Sequence, residues 1–290
     1  MTFSIVARDR STGELGVAVA TSTMAVGRAA PWALAGVGVV VTQAHTSRTY
    51  GARGLELLAE GLAPDEVLDR LTADDPQRDT RQVAVADAAG RVAAWTGRGC
   101  LSACGHVTGA QHSVQGNTLR SRSVLPSMDE AFGAAEGPLA ERLLAALAGA
   151  EEAGGDLRGR QSAAILVVSG HRTDTPWDEV TMDLRVDDAP DPVAELHRLV
   201  RLQRAYESGD LAVLRERAGG VVPELYTALD AVRHGDREAA RQALAELRQR
   251  PGWEGVLRRI HSRLTPPADT NAQPAPWQAA RKGTPDKSDI

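Results

Sequence analysis

The sequence predicts an α/β domain in which helices cover stacked β-sheets, followed by a helical appendage and a polar tail. Three observations carry this. The first forty residues have strand patterning, blocks of helix and strand then take turns to about residue 190, and beyond Pro190 only helical spacing remains. Strands that arrive as hairpins between blocks of helix do not make a repeating βαβ unit. They make sheets that stack on one another and are covered by helices.

Residues 3–9 and 15–21 are rich in β-formers and flank Asp9-Arg10-Ser11-Thr12-Gly13, a turn of the kind that joins hairpins. Residues 36–42 read as a third strand, almost wholly apolar and so covered on both faces. Residues 50–60 have helical spacing, with Leu55, Leu57 and Leu58 apolar and Gly61 as a stop. Pro64 opens a second helix with Val67, Leu68 and Leu71 on one face. A second hairpin runs through 83–87 and 92–96, turning at Ala89-Gly90, and 111–117 is a polar, Gly-punctuated strand or loop at a surface or cleft. An amphipathic helix follows at 139–153, then strands at 163–169 and 180–186. Further on, Ala205 to Gly209-Asp210 recurs as Ala231 to Gly235-Asp236. In each, Gly ends one helix and Asp caps the next. The division is therefore 1–190 for the sheet domain, 191–263 for the helical appendage and 264–290 for a Pro-rich disordered tail.

With 290 residues and 42% hydrophobic content the chain can bury a sizeable core, and with 3% aromatics that core is mainly Val, Leu, Ile and Ala. The longest apolar runs, such as 34–41, are too short to span a bilayer, so no membrane partner is expected. The start lacks a basic segment ahead of an apolar one and there are two cysteines, which gives a cytoplasmic protein without structural disulfides as the expectation. A net charge of −5, mixed along the chain, offers no nucleic-acid face. The lysines are Lys282 and Lys287, so every basic side chain before them is Arg or His. Arginine stays protonated and does not form Schiff bases, which removes catalytic, pyridoxal and P-loop lysines from the folded part. G-x-S-x-G, H-E-x-x-H and Gly-rich nucleotide motifs are absent as well. Cys100, Cys104 and His106 have a C-x3-C-x-H spacing without a second cluster, too little for a metal site, and no metal or other cofactor is expected.

Two places invite chemistry. Thr42-Gln43-Ala44-His45-Thr46-Ser47 is a polar cluster between a strand and a helix, good ground for binding through Gln43 and His45, or simply a helix cap with a solvated His. His106 and His112 belong to the Gly-rich stretch near the same cleft, each more readily a structural or surface residue. The sharper candidate is Thr2. An N-terminal Thr is a complete nucleophile–base unit, because its own α-amine, with a pKa near neutral, takes the hydroxyl proton and needs neither Lys nor His. It requires removal of Met1. The plainer reading is that Thr2 starts a strand. If 9–13 is the hairpin turn, Thr2 lies opposite Thr21, and Thr21, Ser22 and Thr23 surround it with hydroxyls suited to a developing oxyanion.

The stretches T-F-S-I-V-A-R-D (2–9), G-E-L-G-V-A-V-A-T (13–21), Y-G-x-x-G-L-x-L-L-x-x-G-L (50–62), R-Q-V-A-V-A-D (81–87), Q-G-N (115–117), G-G-D-x-R-G-R-Q-S-A-A (154–164) and L-R-V-D-D (184–188) resemble the domain-of-unknown-function 1028 family, itself similar to the N-terminal-nucleophile (Ntn) aminohydrolases. The resemblance covers residues 2–200. It implies a four-layer α/β/β/α sandwich with Thr2 at the nucleophile position. It also implies Asn117 as an oxyanion donor by type, and Asp156 and Ser162 as groups that orient the amine. Arg158 and Gln161 fall in the same motif and join Thr21, Ser22, Gln43 and His45 as substrate-binding candidates. The Lys that proteasome-type relatives place beside the Thr has no counterpart here. The expected function is hydrolysis of an amide bond in a small polar substrate by a homo-oligomer. The alternatives are a non-catalytic binding or scaffold protein that kept the fold, and a protein partner recruited by the helical appendage.

Overall fold

The computed structural model describes residues 2–217 and 222–258, which fall into two compact units that divide after Ser208. Residues 264–290, read as a tail, lie outside the described residues.

In the first unit, β1 (Thr2–Arg8) and β2 (Leu15–Thr21) form the predicted hairpin. Asp9 makes its turn: one carboxylate oxygen accepts from Ser11 N, Ser11 Oγ and Thr12 N at 2.8, 2.6 and 2.9 Å. Gly13 closes it at φ 76°, where a Cβ would be strained. β1 also pairs with β8 (His112–Asn117), and β2 pairs with β9 (Ser162–Val168). Adding β7 (Gly105–Thr108) and β10 (Val180–Val186) completes an antiparallel six-stranded sheet of order β10-β9-β2-β1-β8-β7. The second sheet has order β3-β4-β5-β6, from β3 (Pro31–Leu34), β4 (Gly38–Ala44), β5 (Arg81–Asp87) and β6 (Val92–Thr96).

Strand alternation sorts the side chains into three cores. Phe3, Ile5 and Ala7 point to the helices α3 (Val124–Ala134) and α4 (Leu139–Glu152), meeting Met128, Leu143 and Leu147. Val6, Val17 and Val19 point the other way and meet Val39 and Val41 of the second sheet. Val40, on the far face of β4, packs with Leu57 of α1 (Arg48–Ala59) and Val67 of α2 (Pro64–Ala73). Helices, sheet, sheet and helices thus form the four-layer α/β/β/α sandwich that the sequence predicts. The apolar run in β4 is buried on both faces, as its sequence requires.

Four features differ from the sequence reading. The third strand is shifted to Gly38–Ala44. Strands β3 and β7 are four-residue edges whose residues are only half-buried or exposed, so they carry little pattern. Helix α3 has Pro126 in its first turn, which obscures its start in the sequence. Helix α5 (Pro192–Ser208), assigned by sequence to the appendage, belongs to the first unit because Val193, Leu196 and Val200 enter the α3–α4 core.

The second unit contains α6 (Leu211–Arg217), α7 (Pro223–Arg233) and α8 (Arg237–Arg248). Gly209 and Gly235 adopt φ 70° and 75°. Asp210 and Asp236 accept from Val213 N and Ala239 N at 3.1 and 3.0 Å, the punctuation read from the sequence. Among the described residues no helix is long and apolar enough to cross a membrane.

Candidate functional site

Four polar residues stand in one row across neighbouring strands, at the end of the sandwich where β1 begins. Ser162 of β9 pairs with Thr21 of β2, and Thr2 of β1 pairs with Asn117 of β8. The gap between β2 and β1 is closed by Thr2 Oγ1, which donates to Thr21 Oγ1 at 3.3 Å. Thr21 Oγ1 lies 3.4 Å from Thr23 Oγ1. By alternation all four share the face that looks toward the second sheet, and all are buried, with Thr2 the most accessible at 7%.

Beneath the row lies an amide network joining the two sheets. Gln82 Oε1 accepts from Asn117 Nδ2 at 2.9 Å and from Gln43 Nε2 at 2.8 Å. Gln43 Nε2 also reaches Thr2 O at 3.4 Å, and its Oε1 accepts from Ser4 Oγ at 2.7 Å. Gln115 Nε2 donates to Ser4 Oγ at 2.7 Å, and Gln115 Oε1 accepts from Ser113 Oγ at 2.9 Å. These groups are essentially fully buried, so the network is rigid only as long as each member keeps its partner. It fixes Asn117 while committing, among the described residues, one of the two N–H bonds its amide carries.

Beside Asn117 opens a cavity of about 390 Å³ lined by Ala44, His45, Thr80, Gly99, Cys100, Leu101, Asn117 and Thr118. Ala44 and Thr118 have φ of 65° and 49°, and Ala25, in the loop after β2, has 59°. These are all the positive-φ residues other than glycine among the described residues. Each such residue costs on the order of 1 kcal/mol or more, and strain of this kind gathers at functional sites. Thr118 is 9% exposed and its buried Oγ1 has no hydrogen-bond partner among the described residues. Burial, with the neighbouring Cys104 second, pushes the Cys100 thiol up, so it is not an activated thiolate.

A family model described as a family of unknown function, DUF1028, matches residues 2–196. The chain belongs to the DUF1028 family. A DUF1028 crystal structure, of a protein from Silicibacter pomeroyi, is 36% identical and covers 70% of this chain and 88% of its own, with a TM-score of 0.63. Anbu (ancestral beta-subunit) from Yersinia bercovieri is 11% identical over 76% of this chain and 100% of its own, TM-score 0.35. An Anbu (Gly-1) mutant from Hyphomicrobium sp. strain MC1 is 12% identical over 77% and 98%, TM-score 0.37. The two Anbu scores are too low for shared detail to follow. No curated protein matches the chain.

The other residues singled out in this DUF1028 chain are placed as follows. Asp156 reaches the row through Ser22, accepting from Ser22 N at 3.2 Å, and it holds Arg158 by the backbone N–H at 2.9 Å and the guanidinium at 3.3 Å. Ser162 donates to Thr23 O and accepts from Val26 N at 3.1 Å. Its single proton is therefore committed to the 22–26 loop and not to an amine. Gln161 turns away, donating to Asp188 at 3.2 Å. His45 stands exposed at the cavity, with its backbone tied to Thr80 O at 3.0 Å and to Arg81 Nη1 at 2.6 Å. His106 bonds Thr96 Oγ1 at 2.9 Å, and His112 bonds Asp129 at 2.6 Å and lies against Phe132, so both have structural partners. Among the described residues no group of three or more His, Cys, Asp or Glu is arranged to hold a metal. Sequence reading missed Gln82, Gln115 and Thr118. The available signal was an isolated amide within otherwise apolar strands, as in R-Q-V-A-V-A-D.

Proposed function

We propose that this protein hydrolyses an amide bond in a small substrate with Thr2 as nucleophile. The observation that carries the reading is the row itself. The one Thr that can be both hydroxyl and α-amine is the member with the most access, between a hydroxyl chain on one side and a fixed amide on the other. The reading requires Thr2 to be the first residue of the mature chain. The α-amine takes the Oγ1 proton as Oγ1 attacks the carbonyl carbon, and the tetrahedral oxyanion is met by the second N–H of Asn117. The amine returns the proton to the leaving nitrogen, and the C–N bond breaks to leave an ester on Thr2. Water, deprotonated by the same amine, then cleaves the ester and restores the hydroxyl. Thr21 Oγ1, 3.3 Å away, holds the Thr2 oxygen in place, and the Thr2 proton turns from Thr21 to the amine as the attack begins. Asp156 shapes the adjoining loop through Ser22, in place of the amine-orienting part implied by resemblance.

The test is turnover of a panel of small amides by wild type, Thr2→Ser and Thr2→Ala. Retained activity in Thr2→Ser with loss of several orders of magnitude in Thr2→Ala is expected. Equal turnover by folded Thr2→Ala would refute the assignment. A binding protein that kept the fold is the second reading, and a panel with no turnover by a chain beginning at Thr2 would favour it.

A further inference from the structure

The site is polar, yet three of the large apolar side chains most exposed to water stand on the loops around it. Met24 is 68% exposed, Leu101 67% and Leu157 49%. They are far apart in sequence and are brought together by the site's own backbone. Thr118 N donates to Leu101 O at 2.8 Å, and Leu157 N donates to Thr118 O at 3.2 Å, so both leucines flank the strained residue that lines the cavity. Met24 lies on the loop whose Ser22 N is held by Asp156, the residue before Leu157, and whose Thr23 Oγ1 continues the hydroxyl chain from Thr2. Leu101 is itself a lining residue of the 390 Å³ cavity.

Exposed apolar side chains scattered singly need no explanation, but a group of them on adjoining loops beside one cavity does. Ligand sites combine apolar walls with a few placed polar groups. Here Leu101 lines the cavity, Met24 and Leu157 on the adjoining loops make up the rest of an apolar rim, and the polar groups are Asn117 and Thr2 next to it.

We infer that the substrate is amphipathic: an amide bearing an aliphatic group next to its carbonyl, with the amide at Thr2 and Asn117 and the aliphatic group against Met24, Leu101 and Leu157. This rests on the proposed function for the reaction but not for the binding. It differs from the small polar substrate expected from the sequence. The rim discriminates by apolar contact, and Asn117 Nδ2 donates a hydrogen bond to the substrate's amide.

The probes are N-acetyl-leucinamide and N-acetylglycinamide, which differ in the aliphatic group. Binding to the Thr2→Ala protein is followed by NMR titration, and ammonia release by wild type is followed separately. The leucine probe should bind about tenfold or more tightly than the glycine probe, the range one aliphatic side chain gives in an apolar pocket. Leu101→Ser and Met24→Ser, both exposed positions that will not disturb folding, should reduce that ratio to about threefold or less. Equal binding of the two probes, or binding of neither, would overturn the inference even if both are hydrolysed. A leucine preference in binding with no ammonia released would uphold the inference and sink the hydrolase reading instead. A rim that closes against a second copy would show as a change of oligomeric state in Leu101→Ser by sedimentation with the probe ratio unmoved, and that result also overturns it.

Discussion

Replacing Gln82 with Met tests whether the buried amide network holds the site. Met has a similar length and volume but supplies neither Oε1 nor Nε2. The change removes the acceptor for Asn117 Nδ2 and Gln43 Nε2, and the donor that has Thr96 Oγ1, Gly105 O and Gly116 O at 2.9, 3.0 and 2.9 Å. Gln43 Nε2 keeps two long contacts at 3.4 Å, whereas the bond to Gln82 is the one Asn117 Nδ2 makes among the described residues. A buried group left without a partner costs about 1–3 kcal/mol. Counting Asn117 fully, and Gln43 and the Gln82 acceptors in part, the loss is about 2–4 kcal/mol. For a domain of this size that lowers Tm by about 4–16 °C. Calorimetry of the purified variant measures it. A Tm within about 2 °C of wild type would show that the network contributes nothing and that Asn117 is held by other means.

Three further outcomes follow from particular contacts. Thr21→Val keeps the shape but removes the hydroxyl 3.3 Å from Thr2 Oγ1 and 3.4 Å from Thr23 Oγ1, so kcat on whichever amide is turned over should fall about tenfold with Tm nearly unchanged; an unaltered kcat would remove Thr21 from the mechanism. Gly51→Ala in α1 should destabilise by about 1–3 kcal/mol in urea unfolding, although Ala is the better helix former, because the new Cβ would sit 2.2 Å from Trp32 Cδ1 and Nε1; a more stable variant would show that Trp32 has room to move. Arg81, by a hydrogen bond at 2.8 Å, and then Tyr50 hold the Asp75 carboxyl at about 2 against its ordinary 3.8. A depressed carboxyl contributes stability above its unfolded value and loses it as pH falls, so unfolding midpoints should drop between pH 3.8 and about 2. Asp75→Asn should flatten that limb, and an unchanged acid limb would contradict it.

Much of the fold was legible because its hydrophobic patterns are simple. The run in β4 required burial on both faces, and the Asp9–Gly13 turn set a register that put Thr2 opposite Thr21. The short edges β3 and β7 were illegible, since four half-wet residues have no period to read. The α5 boundary was illegible because an amphipathic helix does not say which core receives its apolar face. At the site, Thr2, Thr21, Asn117 and Ser162 were found as separate residues, but their alignment in one row is set by strand order, which pairs β1 with β8 and β2 with β9 across more than a hundred residues. Gln82 and Thr118 act through what they bond or fail to bond, and sequence alone does not show that.

The proposed chemistry needs Thr2 to offer both a hydroxyl and an α-amine, and the intact mass of the purified protein tests this most directly. A chain that begins at Thr2 is the predicted result. A mature chain that still carries Met1 would leave Thr2 with a peptide nitrogen in place of a base, and the proposed chemistry would be excluded while the sandwich remained.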